Sequence, residues 1–314
     1  MSIDPVILFF GLGVLAGIAK SDLKIPPAIY ELLSIMLLLT IGLKGGVELS
    51  RSPMGGLWLQ AIAVLAMGFI FPLFIYPLAR KVGRIGQSDA ASLAAHYGSV
   101  SVATFAVGIA FLTDRNISYD SQLPIFLVLL EVPAIVVGIL LARRASRRAQ
   151  AWSKVMHEIV FGKSILLLVG GLFIGWIAGP EGIAPIEPLF FDLFKGVLAL
   201  FLLEMGLIAV SQSHALKVHG PFLVVFGVLM PLPLGTIGVL VGWAIGLSAG
   251  GAALLGVLAG SASYIAAPAA MRIAVPDANP SLSLTASLGV TFPFNIFIGI
   301  PIYYAIAAAV VGGG

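Results

Sequence analysis

The chain has 314 residues, of which 60% are hydrophobic and 10% charged, with a formal net charge of +3 and no cysteine. A soluble domain carries about 25% charged residues, so this composition excludes an ordinary soluble enzyme and points to a helical membrane protein. Without cysteine there is no disulfide framework and no thiolate metal site, and the small positive balance reflects basic loops at a membrane rather than affinity for nucleic acid.

The opening stretch, MSIDPVILFFGLGVLAGIAK, lacks a basic n-region and an A-x-A cleavage site, so it reads as a retained first helix rather than a signal peptide. Ten apolar segments follow one another at about 5–19, 27–47, 55–78, 88–112, 122–142, 159–178, 189–210, 220–247, 250–273 and 281–311. Turn signals such as Lys24-Ile25-Pro26-Pro27 and Asp277-Ala278-Asn279-Pro280 separate them. Thirteen of the 17 Lys and Arg fall in or beside alternate connections: Lys20, Lys24, Arg80, Lys81, Arg84, Arg143, Arg144, Arg147, Arg148, Lys154, Lys163, Lys217 and Arg272. Arg51 and Arg115 fall on the other side, and Lys44 and Lys195 lie within spans. The positive-inside rule then puts both termini on the outer, periplasmic side of the inner (plasma) membrane. The longest cytoplasmic connection, RRASRRAQAWSKVMHE at 143–158, reads as a stop-transfer cluster lying on anionic lipid headgroups.

Folding the sequence at that linker exposes a repeat. Gly98-Ser99-Val100-Ser101 in the fourth span matches Gly260-Ser261-Ala262-Ser263 in the ninth, 162 residues on. Gly45 and Gly206 match at an offset of 161. Residues 1–142 and 159–314 each hold five spans. Five is odd, so the second half enters the membrane upside down relative to the first, which is an inverted-topology repeat. In such folds broken helices meet near the bilayer midplane and form the substrate site. Gly98 and Gly260 permit a break, and Pro268 cannot bond back to the carbonyl of Tyr264. Facing helix N-termini and the hydroxyls of Ser99, Ser101, Ser261 and Ser263 suit a small anion. Taken singly, each G-S-x-S also fits close packing through small residues.

At these residues the chain resembles the SbtA-type sodium-dependent bicarbonate transporters, in their proteobacterial branch. The resemblance rests on TIGLKGGVEL (40–49), YGSVSVAT (97–104), LLEVPAIVVG (129–138) and SASYIAAPAAMRIAVPDANPS (261–281). It implies an all-α membrane protein with ten transmembrane helices in two inverted repeats, and broken helices 4 and 9. It further implies a core domain moving against a gate domain, a homotrimer, and Na⁺-coupled import of bicarbonate without another cofactor. The chain departs from the cyanobacterial members at Tyr264, where they carry an acidic residue, and at Val102-Ala103, where they carry Gly-Ser. Its central linker is also much shorter than theirs, so a PII-like regulator is not expected.

Tyr264 is a candidate donor to the anion. Glu131, ionisable and mid-span, is a candidate for cation or proton coupling. Thr104, Thr291 and Asn295 are candidate oxygen ligands for Na⁺. Glu204 reads as a structural partner of Lys44, and His96 as a hydrogen-bonded structural histidine. No HExxH, P-loop or GxSxG motif is present, so the chain is not expected to be an enzyme. The alternatives are a sodium- or proton-coupled permease for a short carboxylate and, in another class, an ion channel or membrane sensor.

Overall fold

The computed structural model describes residues 5–51, 56–143, 156–157, 160–212 and 216–312, and among them the regular structure is entirely helical. Of the linker at 143–158, residues 144–155 and 158 lie outside the described residues.

The helices, numbered here in chain order, are α1 (Pro5–Ile18), α2 (Pro27–Arg51), α3 (Leu57–Lys81), α4 (Gln87–Gly98), α5 (Val102–Thr113) and α6 (Leu123–Arg143). They continue with α7 (Lys163–Ile183), α8 (Phe194–Gln212), α9 (Leu216–Leu229), α10 (Pro231–Ala244), α11 (Ala249–Ala259) and α12 (Ala266–Ala274). The last, α13, runs over Pro280–Val311. Eight segments are long and apolar enough to cross a membrane, and α1 and α11 are apolar but shorter. Each of the ten expected segments is occupied by helix. The first is only 14 residues long, and the ninth is interrupted into α11 and α12.

Local chemistry explains the irregularities. Gly179, at φ 61°, ends the regular part of α7. Within α13, Pro293 and Pro301 lack the N–H that an α-helix would use. Two π-helical stretches occupy the neighbourhood, Thr285–Thr291 and Asn295–Gly299. Pro268 makes no bond back to Tyr264, which lies in the break. It sits in the first turn of α12, where a missing N–H costs nothing, and the break lies wholly before it.

The helices pack as two groups. In one, α2 lies along α7 and α1 along α8, with backbones in contact through glycine. A Cβ on Gly46 would lie 2.1 Å from the Leu172 carbonyl oxygen, and one on Gly175 would lie 2.3 Å from that of Leu43. Gly13 and Gly206 make the matching approach between α1 and α8, at 2.0 Å from the Leu203 oxygen and 2.4 Å from the Phe10 oxygen. Small residues that admit backbone contact are the usual means of joining helices in lipid, where apolar side chains gain nothing from leaving water. In the other group, α3 packs on α4 and α6, α4 on α6, α10 on α11, and both α10 and α11 on the end of α13. Ion pairs among the described residues include Glu31–Lys163 at 3.1 Å, Glu48–Arg51 at 3.6 Å, and Lys195 with Asp114. Such exposed pairs are each worth about 0–1 kcal/mol. The expected Lys44–Glu204 partnership is not among the described ion pairs. Lys44 turns outward to a cavity, while Glu204 leaves Oε2 buried without a partner.

Candidate functional site

The fourth and ninth segments each break where G-S-x-S occurs, and the two breaks touch. α4 ends at Gly98, Ser99 is extended, and Ser101 caps α5 by accepting the Thr104 N–H at 3.1 Å. α11 ends at Ala259, and Ser263 Oγ accepts the Ala267 N–H at the start of α12 at 3.1 Å. Two bonds join the breaks. The Ser101 N–H donates to Ser261 Oγ at 2.9 Å, and the Ser263 N–H donates to the His96 carbonyl at 2.8 Å. Backbone freed from helical bonding is thus satisfied by the opposite break, as irregular backbone in a membrane interior requires.

Both glycines are fixed by packing. A Cβ on Gly98 would sit 2.5 Å from the Pro72 ring and 2.9 Å from the Ala134 methyl. One on Gly260 would sit 2.5 Å from the Tyr303 hydroxyl. Gly260 is right-handed at φ −83°, so it is steric room and not backbone strain that demands glycine there.

All four serines are buried, but they use their hydroxyl protons differently. Ser99 donates to the Glu131 carbonyl at 3.2 Å, and Ser261 donates to that of Leu258 at 2.7 Å. Ser101 Oγ accepts twice from Thr104, from its N–H and, at 2.8 Å, from its hydroxyl. Ser263 Oγ accepts from Ala267. The protons of Ser101 and Ser263 therefore have no acceptor among these bonds. The Tyr264 hydroxyl is buried against that of Ser101, with which it interacts, and has no other partner among the described residues; its ring stands edge-on to Phe292 at 5.6 Å. Ser101, Ser263 and Tyr264 thus gather three hydroxyls at the crossing of the breaks, of which Ser101 and Tyr264 can bond each other.

The candidate cation ligands are spread around this crossing. Thr104 is bound to Ser101. Glu131 is 1% exposed with Oε2 unpartnered. Asn295 donates from Nδ2 to the Gly260 carbonyl at 2.8 Å and accepts from the Tyr303 hydroxyl at 3.0 Å. Thr291 donates to the Gly227 carbonyl at 2.7 Å and bonds the Tyr97 hydroxyl at 2.7 Å. No described hydrogen bond joins these four side chains to one another. His96 holds the Ser92 carbonyl through Nδ1 at 2.7 Å. A carbonyl only accepts, so Nδ1 carries the proton, and Nε2 is buried without a partner.

Two tyrosines escaped the sequence reading. Tyr303, fully buried, bonds both Asn295 and the Pro231 carbonyl, and so ties α13 to α10 beside Gly260. Tyr97, the residue before Gly98, ties α4 to α13. An aromatic with a polar tip inside an apolar segment was the available signal.

A cavity of about 220 Å³ opens between α2, α5, the 191–195 turn and the start of α6, with Thr40, Lys44, Glu48, Thr113 and Lys195 among its walls. Among curated proteins none matches the chain. The family profile of the Na⁺-dependent bicarbonate transporter superfamily matches residues 5–308. With that match over nearly its whole length, the chain belongs to the Na⁺-dependent bicarbonate transporter superfamily, and is a multi-pass membrane transporter rather than an enzyme.

Proposed function

We propose that this protein imports bicarbonate by Na⁺-coupled symport through an elevator-like alternating-access mechanism, with the anion held where the two breaks cross. The observation that carries this reading is the cluster of hydroxyls at Ser101, Ser263 and Tyr264, placed where α5 and α12 start and where the two serines already accept the Thr104 and Ala267 amides. A phenol at position 264 donates a hydrogen bond and adds no negative charge against the anion.

The architecture proposed is ten spans in two inverted repeats, 1–142 and 159–314. Repeated packing supports it. The pairing of α2 with α7 recurs as α8 with α1, and that of α3 with α4 recurs as α10 with α11. The loop bonds recur as well. Asp120 accepts from the Ser248 N–H at the start of α11, and Asp89 in the first turn of α4 accepts from the Asn279 N–H. The glycine-joined group α1, α2, α7 and α8 is the natural gate, and the group containing both breaks is the moving core. The cavity beside Lys44 then serves as the outer vestibule, with both termini on that side of the inner membrane. Glu131, with Thr104, Thr291 and Asn295, is the proposed Na⁺ region, and no other cofactor is needed. A homotrimer follows the family resemblance.

Uptake of labelled bicarbonate into proteoliposomes, with and without an inward Na⁺ gradient, tests the function. Gradient-driven, saturable uptake is expected, and gradient-independent uptake or single-channel currents would contradict it. Counterflow against short carboxylates separates the second reading, a carboxylate permease, which the departure at Tyr264 motivates. Transport should need no PII-like protein, and a tight nucleotide-dependent complex in a pull-down would contradict that.

A further inference from the structure

A second cavity, of about 190 Å³, lies between α6, α7 and α12. Its walls are Ile135, residues 162–165, Ile265, Ala266 and Ala269, with no acidic side chain among these described residues. Three features make it an anion site independently of the transport reading. α7 starts at this cavity without a side-chain cap, because Gly162 occupies the N-cap position. The first amides of a helix have no intrahelical acceptor and carry the positive end of its dipole. Ser164 is 4% exposed and borders the cavity, and no described hydrogen bond uses its hydroxyl. Bordering the cavity, this hydroxyl can donate to an acceptor held there. Lys163 stands at the rim with its ammonium on Glu31 at 3.1 Å. That pair is half exposed, so the ammonium can turn to a stronger acceptor.

The start of α12 borders the same space. There the Ser263 hydroxyl takes the Ala267 amide, and no side chain caps Ile265. The α7 N-terminus, a hydroxyl and an ammonium thus face one enclosure whose other described walls are apolar. Backbone amides, a hydroxyl and a lysine together are the donor set that a phosphate group uses.

We propose that the α7 N-terminus is a phosphate-binding site, separate from the crossing of the breaks. The phosphate is either free or the headgroup of a phospholipid, since both present the same oxygens. Purified protein is titrated calorimetrically with inorganic phosphate, before and after exhaustive delipidation, and its bound phospholipid is assayed. Gly162→Asp places a tethered carboxylate at the N-cap, where aspartate is favoured. It should melt no lower than the parent and bind no phosphate. Ser164→Ala should bind about tenfold more weakly, within the range one hydrogen bond to a charged group carries. Saturable binding before delipidation identifies free phosphate as the occupant. Binding only afterwards, with less phospholipid on Gly162→Asp than on the parent, identifies a headgroup. Either pattern supports the site. No saturable binding in either state, or variants that bind like the parent, would overturn it.

Discussion

The two helix groups use glycine to opposite ends. Between α2 and α7, Gly42, Gly46, Gly171 and Gly175 bring backbone against backbone, and the seam is held by van der Waals contact. At the crossing of the breaks, Gly98 and Gly260 make room for Pro72 and Tyr303, while serines and backbone amides exchange hydrogen bonds. The contacts of the first arrangement are made by backbone and apolar atoms. The second gathers hydroxyls at its centre. Small residues in a membrane helix therefore mark function only when hydroxyls and freed amides accompany them.

The sharpest way to break the comparison is to enlarge a seam glycine. Gly46→Leu drives a side chain into the Leu172 carbonyl, which cannot move without moving α7. Overpacking of this kind costs about 1–3 kcal/mol, and more against backbone. Fluorescence-detected size exclusion should show loss of folded protein, and a normal profile with a parental melting temperature would refute the close approach. Gly260→Val should leave more folded protein yet abolish uptake, because the added methyls displace the Tyr303 hydroxyl from Asn295 and Pro231. Retained uptake would show that this tie is dispensable.

Smaller effects sharpen the crossing itself. Glu131→Gln should reduce Na⁺-driven uptake far more than it lowers the melting temperature, because the amide keeps the shape and loses the charge. Full uptake would remove Glu131 from coupling. Ser261→Ala takes the acceptor from the Ser101 N–H, so it should lower stability by about 1–3 kcal/mol. Its own proton is already given to Leu258, so anion affinity should fall less than on replacing Ser101 or Ser263.

Much of this was legible in the sequence because it followed from composition and spacing. Twenty-residue apolar runs, alternating basic loops and the two G-S-x-S stretches led to the helices and to both breaks. What each polar group does with its proton was not legible. Ser99 and Ser101 look alike in sequence, yet one spends its hydroxyl on the Glu131 carbonyl and the other accepts from Thr104, because Ser99 closes α4 while Ser101 caps α5. The position of Pro268 relative to the break was not legible either. A proline fixes where a helix can start as well as where it must stop, and only the position of the break decides between the two. Tyr303 was passed over because its role comes from Asn295 and Pro231, 8 and 72 residues away in the chain.

The central claim is that the transported anion is held by the hydroxyls gathered where the breaks cross. Isothermal titration of bicarbonate, at saturating Na⁺, into the parent and into Ser101→Ala and Ser263→Ala tests it most directly. Each variant removes the Oγ that accepts a first-turn amide, Thr104 in α5 or Ala267 in α12, so each should melt lower by the roughly 0.5–2 kcal/mol of a lost capping bond while remaining folded. Each should bind about tenfold to a hundredfold more weakly, as expected for one hydrogen bond to a charged ligand. Parental affinity in both variants would place the anion elsewhere and leave the crossing as a packing seam.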